Sequence, residues 1–120
     1  MSYDIALEDR VTGNILEVDT PHQIRGGTYC VGGTRELWLN ITYNYSGIFC
    51  RKDVFGENGI RTIYGMTGAE SIPVLQKAIN VLKNDVSDDY WEPTEGNAKQ
   101  ALYGLLAFAQ MRPDGIWGGD

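Results

Sequence analysis

The stretch that most constrains the fold is residues 94 to 111, TEGNAKQALYGLLAFAQM. Thr94 has the side chain of a helix cap. Ala98, Ala101, Leu102, Leu105, Leu106, Ala107, Phe108, Ala109 and Met111 then wrap most of a helix's circumference. A helix that is apolar nearly all round is buried nearly all round. In a chain of 120 residues, a sheet and one more helix fall short of covering it. The remaining face is expected to meet another copy, as a dimer or a trimer of dimers; the alternative is a central helix in a tightly folded monomer. Pro113 stops the helix, and Arg112-Pro113-Asp114-Gly115 has the residue types of a tight turn. Trp117, among Gly115, Gly118 and Gly119, predicts an ordered tail pinned to its own domain or to a neighbour.

A second helix announces itself upstream. Thr67 and Glu70 have the spacing of a capping box. Ile72, Leu75, Ala78, Ile79 and Leu82 follow at helical spacing. Pro73 is expected in the first turn, where its missing N–H costs little, and Asn84-Asp85 is expected to end the helix. Before residue 66 the chain turns to β-branched and aromatic residues with glycine turns. Residues 3 to 18 predict a hairpin around Thr12-Gly13-Asn14. TPHQIRGG is a connector, TYCV and RELWLNITYNYSGIF predict a second hairpin with one long strand, and a short strand is expected near 60 to 64. The expected fold is α+β: one domain with an N-terminal antiparallel sheet of about four to five strands (1–66), two C-terminal helices (67–111) and a tail (112–120).

The totals exclude several functions. A net charge of −6 argues against long nucleic acid, which needs a basic surface, and against an anionic membrane surface. No apolar run approaches the roughly 20 residues that span a bilayer, and the first residues lack a signal-peptide pattern. A cytoplasmic protein is expected, with Cys30 and Cys50 reduced. His22 is the single histidine, in the connector, and two cysteines far from it do not spell zinc. There is no phosphate-cradling glycine loop and no nucleophile elbow. The acids Asp85, Asp88, Asp89, Glu92 and Glu95 match no calcium-loop spacing and are expected to be solvated. No catalytic residue, metal or cofactor is expected.

Binding chemistry is better represented. In LWLNITYN, residues 37 to 44, strand alternation puts Leu37, Leu39, Ile41 and Tyr43 on one face. Trp38, Asn40, Thr42 and Asn44 fall on the other, uncharged but rich in hydrogen-bonding groups. Amides of this kind can match an adenine edge. Tyr29, Tyr43, Tyr45, Phe49, Tyr64, Tyr90, Trp91 and Trp117 offer stacking surfaces, though core packing claims most aromatics. Arg25, Arg61 and Arg112, near glycines or aromatics, are candidate phosphate forks. The candidate ligand-binding residues are therefore Arg112, Arg61, Asn44, Asn40, Thr42, Arg25, Tyr45, Tyr64 and Asp114, with Asp114 held beside Arg112 near a subunit boundary.

The segments ELWLNITYNYS, GIRTIYGMTGAESIP and DYWEPTEGNAKQALYGLLAFAQMRPDGIWGGD resemble small phage and prophage proteins. They are similar to the first type of Thoeris anti-defence protein, a family of phage nucleotide sponges. The resemblance spans roughly residues 35 to 120 and leaves residues 1 to 34 unmatched. It implies an N-terminal antiparallel sheet, two C-terminal helices and a homo-oligomer. It also implies binding, without cleavage, of cyclic ADP-ribose-type signals made by bacterial TIR enzymes. Some members also hold cyclic oligonucleotides at separate sites made by the oligomer. No ligand residue is transferred from the family. Three classes stay open: a nucleotide-sequestering module, an acidic inhibitor that blocks a host defence protein directly or by nucleic-acid mimicry, and a small phosphodiesterase, disfavoured by the missing base and metal ligands.

Overall fold

The computed structural model describes residues 1–24, 26–28 and 31–120. Three sequence expectations fall outside them: Arg25 as a ligand group, the TYCV strand through Tyr29 and Cys30, and any relation of Cys30 to Cys50. Among the described residues the fold is α+β, with two small antiparallel sheets and three α-helices. The first sheet orders its strands β4-β1-β5, from β1 (Ser2–Glu8), β4 (Trp38–Thr42) and β5 (Ile116–Gly119). The second pairs β2 (Glu17–His22) with β3 (Thr34–Glu36). The helices are α1 (Ser46–Phe49), α2 (Gly68–Val81) and α3 (Glu95–Met111).

Strands are therefore not confined to the N-terminal half, as the sequence predicts. The last strand returns to β1, pairing Ile5 with Gly119 and Leu7 with Trp117. The first expected hairpin closes briefly, through the Asp9 N–H to the Asn14 carbonyl at 2.8 Å and the Leu16 N–H to the Leu7 carbonyl at 2.9 Å. Residues 17 to 22, read as the hairpin's end and a connector, instead form β2 against β3. The long strand expected from residue 35 is split at Leu37 into β3 and β4, which lie in different sheets, and β4 ends at Thr42. That side chain accepts the Asn44 N–H and caps a 3₁₀ turn at Tyr43–Tyr45, which runs directly into α1. The short strand expected near 60 to 64 is instead a 3₁₀ turn at Gly59–Ile63. After it Gly65, at φ +85°, gives its N–H to the Trp117 carbonyl at 2.9 Å and turns the chain toward α2.

The helix signals hold better. Thr67 and Glu70 form the reciprocal capping box of α2, and Thr94 caps α3 by accepting the Asn97 N–H at 3.0 Å. Helix α2 stops at Val81, short of Asn84-Asp85. Pro73 lies one turn further in than expected, on the exposed side. Its ring leaves no N–H for the carbonyl four residues back. One core joins the sheet to both long helices: Ile5, Leu7, Leu39, Ile41, Leu75, Ile79, Leu102, Leu105 and Phe108 are all buried. Trp117 is pinned inside its own domain, 2% exposed, with Nε1 donating to the Ser71 hydroxyl at 2.7 Å. The turn after α3 closes from the Gly115 N–H to the Arg112 carbonyl at 3.2 Å. No helix among the described residues is long and apolar enough to cross a membrane.

Candidate functional site

Helix α3 is buried over only part of its circumference. Ala98, Ala101, Leu102, Leu105, Phe108 and Ala109 face the core, whereas Leu106 and Ala107 are half-buried and Tyr103 and Met111 are exposed. Part of that uncovered arc is the wall of a cleft of about 550 Å³. Asn97, Gln100, Ala101, Tyr103, Gly104 and Ala107 line it from α3. Ser87, Asp88 and Tyr90 line it from the loop between α2 and α3. Gln23, Ile24 and Gly26 line it from the chain after β2, and Tyr45 completes it. Pockets that bury most of a small organic ligand occupy this size range. A second cavity of about 20 Å³ beside His22, Trp38 and Asn40 has room for roughly one water.

The loop wall is built by amides. Asn97 sits on the buried side of α3, takes the Ser87 N–H on Oδ1 at 3.0 Å, and donates from Nδ2 to the carbonyls of Asp89 and Glu92, both at 2.9 Å. Across the cleft's edge the Tyr90 hydroxyl accepts the Thr42 N–H at 3.1 Å and donates to the Asn40 carbonyl at 3.3 Å. The Tyr45 hydroxyl donates to the Tyr90 carbonyl, and Asn44 Nδ2 donates to the Trp91 carbonyl at 2.8 Å. Asn40 Nδ2 turns the other way, to the Ser2 hydroxyl at 2.6 Å and Asp4 Oδ1 at 2.8 Å. The uncharged face of residues 38 to 44 thus touches its own chain. Burial raises the Tyr45 and Tyr90 hydroxyls above the ordinary phenol value, so both stay neutral donors.

The other nominated residues gather in two further places. Arg61 donates from Nε to the Asp120 carbonyl at 3.0 Å, and its guanidinium lies 4.9 Å from the Tyr3 ring centre and 5.8 Å from that of Tyr43. Tyr64 lies nearby: its buried hydroxyl has no hydrogen-bond partner among the described residues, and burial pushes its pKa up to about 12, against the pull of Arg61. Arg112 forks onto Asp114 with two bonds of 3.0 and 2.8 Å and reaches the Glu17 carbonyl at 3.4 Å. That fork holds the Asp114 carboxyl below its ordinary value. Tyr45 is the one nominated residue among the described ones that also lines the cleft. The structure brings Asn40, Thr42, Asn44 and Tyr45 together, but neither Arg61 nor Arg112 with them.

His22 is no loose connector residue. It ends β2, its Nε2 lies 2.8 Å from the Glu36 carbonyl, Nδ1 accepts the Ile24 N–H at 3.2 Å, and the ring packs 5.0 Å from Phe108. Those two contacts give it a positioning role for the chain that enters the cleft. The acidic loop is also more structural than its composition suggests. Asp85 accepts the Gly96 N–H at 3.0 Å, Asp89 the Trp91 N–H at 3.0 Å, and Glu92 the Ser87 hydroxyl at 2.6 Å. Glu95 takes the Lys83 N–H at 3.1 Å and pairs with Arg51 at 3.4 Å. Sequence reasoning missed Asn97, Gln100 and Tyr103, and set Asp88 aside as a solvated acid. Asn97 left one signal, an amide at a position that helical spacing places among core residues. Comparison with protein-family models, with curated proteins and with solved structures returns no match.

Proposed function

We propose that the chain binds and sequesters a cyclic, adenine-containing nucleotide signal without cleaving it, and so counters an anti-phage defence in the cytoplasm of an infected bacterium. The ligand is a cyclic ADP-ribose isomer or, at further sites, a cyclic oligonucleotide. The observation that carries this is the cleft: about 550 Å³, with Tyr90 and Tyr103 as aromatic walls and Gln100 as an exposed amide beside them. The exposed Tyr103 and Met111 and half-buried Leu106 support a homo-oligomer, in which a neighbouring copy would complete the open side. Trp91 and Val86, both exposed beside Asp88, support the alternative of an inhibitor that binds a host defence protein directly. Nucleic-acid mimicry draws less support, because four of the five loop acids are tied to their own backbone or side-chain partners.

Titration calorimetry against cyclic ADP-ribose isomers and cyclic di- and trinucleotides tests the proposal, followed by heat release and analysis of the supernatant. The expected result is binding tighter than about 10 μM, roughly −7 kcal/mol, with the ligand recovered intact. Ala107→Trp fills the cleft from a half-buried position and should abolish that binding while leaving the melting curve close to wild type. Arg112→Ala and Arg61→Ala ask whether the two outlying arginines take phosphates. Recovery of an altered nucleotide, or no binding tighter than that threshold, overturns the proposal.

A further inference from the structure

Resting on that reading, we infer that the cleft takes the nucleoside end of its ligand, with the Asp88 carboxylate accepting the vicinal hydroxyls of a ribose and the phosphates kept outside. Asp88 is the only charged side chain among the described residues that line the cleft. Asp85, Asp89, Glu92 and Glu95 each have a partner within the fold. Asp88 has neither a hydrogen bond nor an ion pair from its side chain to any described residue, so both of its oxygens keep their acceptor capacity at the cleft's edge. A carboxylate offers acceptors only. A vicinal diol offers two donors at a spacing that one carboxylate spans, and an acidic side chain on a ribose hydroxyl is a recurrent solution to nucleotide recognition. A phosphate in the same place would meet like charge, with no cation among the described lining residues to offset it.

The remaining surfaces suit a base. Ala101, Gly104 and Ala107 leave one side of α3 without bulk, and Tyr103 and Tyr90 stand beside it. The Asn97 amide is committed to the loop, which leaves the exposed Gln100 as the amide on α3 able to pair with an adenine edge.

Calorimetry on the full chain with adenosine, 2′-deoxyadenosine, adenosine 5′-monophosphate and cyclic ADP-ribose tests this. Wild type should bind adenosine about 10- to 100-fold more tightly than 2′-deoxyadenosine, the factor expected for a hydrogen bond to a charged group. Adenosine 5′-monophosphate should bind no more tightly than adenosine. Asp88→Asn should weaken adenosine and cyclic ADP-ribose by a similar factor and lose the preference for the 2′-hydroxyl, the coupling that a merely structural aspartate would not produce. Its melting temperature should match wild type, because no partner is lost. Unchanged affinity in Asp88→Asn, or a monophosphate that binds much more tightly than the nucleoside, overturns the inference. If cyclic ADP-ribose binding is lost in Ala107→Trp but not in Asp88→Asn, the cleft is the site and this orientation is wrong. If wild type binds none of the four, the cyclic ADP-ribose reading of this cleft fails and takes the inference with it.

Discussion

Gly96→Ala places two effects of opposite sign in competition. Gly96 lies in the first turn of α3, and a helical glycine exchanged for alanine ordinarily gains about 0.5–1 kcal/mol. Here a Cβ would stand 2.5 Å from the Asp85 carbonyl carbon, 2.5 Å from the Val86 nitrogen and 2.8 Å from the Asp85 nitrogen. Carbon neighbours sit comfortably at roughly 3.5–4.0 Å, so the loop backbone must retreat by about 1 Å. Overpacking of this kind costs about 1–3 kcal/mol. The move also stretches the bond from the Gly96 N–H to Asp85 Oδ1, at 3.0 Å, worth roughly 1.5–3 kcal/mol when the acceptor is charged. The steric and polar losses win, for a net destabilisation of about 2 kcal/mol. With a urea slope of about 1–3 kcal/mol per molar, the unfolding midpoint should fall by about 1 M. Gly47→Ala is the matched control, since nothing lies within 4 Å of its Cβ; it should be neutral or slightly stabilising. A Gly96→Ala protein as stable as wild type would refute the close approach of loop and helix on which the cleft depends.

Two further outcomes are expected. Trp117→Phe removes the Nε1 donor to the buried Ser71 hydroxyl and should destabilise by about 1–3 kcal/mol, read from denaturation midpoints; a change below about 0.5 kcal/mol would contradict the pinned tail. At high pH the raised phenols of Tyr45, Tyr64 and Tyr90 matter: unfolded tyrosines ionise near 10.0 and these ionise later. Their contribution to stability is therefore complete below about pH 10 and is lost as pH climbs through the folded values, for Tyr64 between 10.0 and about 12. Phenolate absorbance should show delayed ionisation until a cooperative unfolding step. Free titration of all the tyrosines near pH 10 without unfolding would contradict the burial.

The helices were legible because their signals are local: Thr67 with Glu70, and Thr94 just before Glu95, act within one turn. The strands were legible only where alternation and pairing agreed, as at Leu39 and Ile41. Thr42 ends that strand by capping Asn44, and alternation across LWLNITYN carries no trace of it. Strand β5 was hidden for a different reason. A segment with two adjacent glycines has no strand propensity of its own, and its partner lies more than a hundred residues away. The neutral face of residues 38 to 44 is engaged within the chain by partners that alternation does not reveal: Asn44 on the Trp91 carbonyl, Asn40 on Ser2 and Asp4, and Thr42 on the Asn44 N–H. The cleft was illegible because it forms where a loop stands off from a helix, a gap that no single segment encodes.

The pairing of β1 between β4 and β5 sets an order of events during synthesis. One edge of β1 can be covered once residues 38 to 42 exist, but the other must wait for residues 116 to 119. At roughly 5–20 residues per second, the N–H and carbonyl groups that Ala6 and Glu8 turn toward β5 stay unpaired for several seconds in every nascent chain, an invitation to wrong partners. Closure of the three-stranded sheet is thus a late event. A ribosome-bound chain halted after α3 should already protect β4 against hydrogen exchange while β1 keeps one side open to solvent.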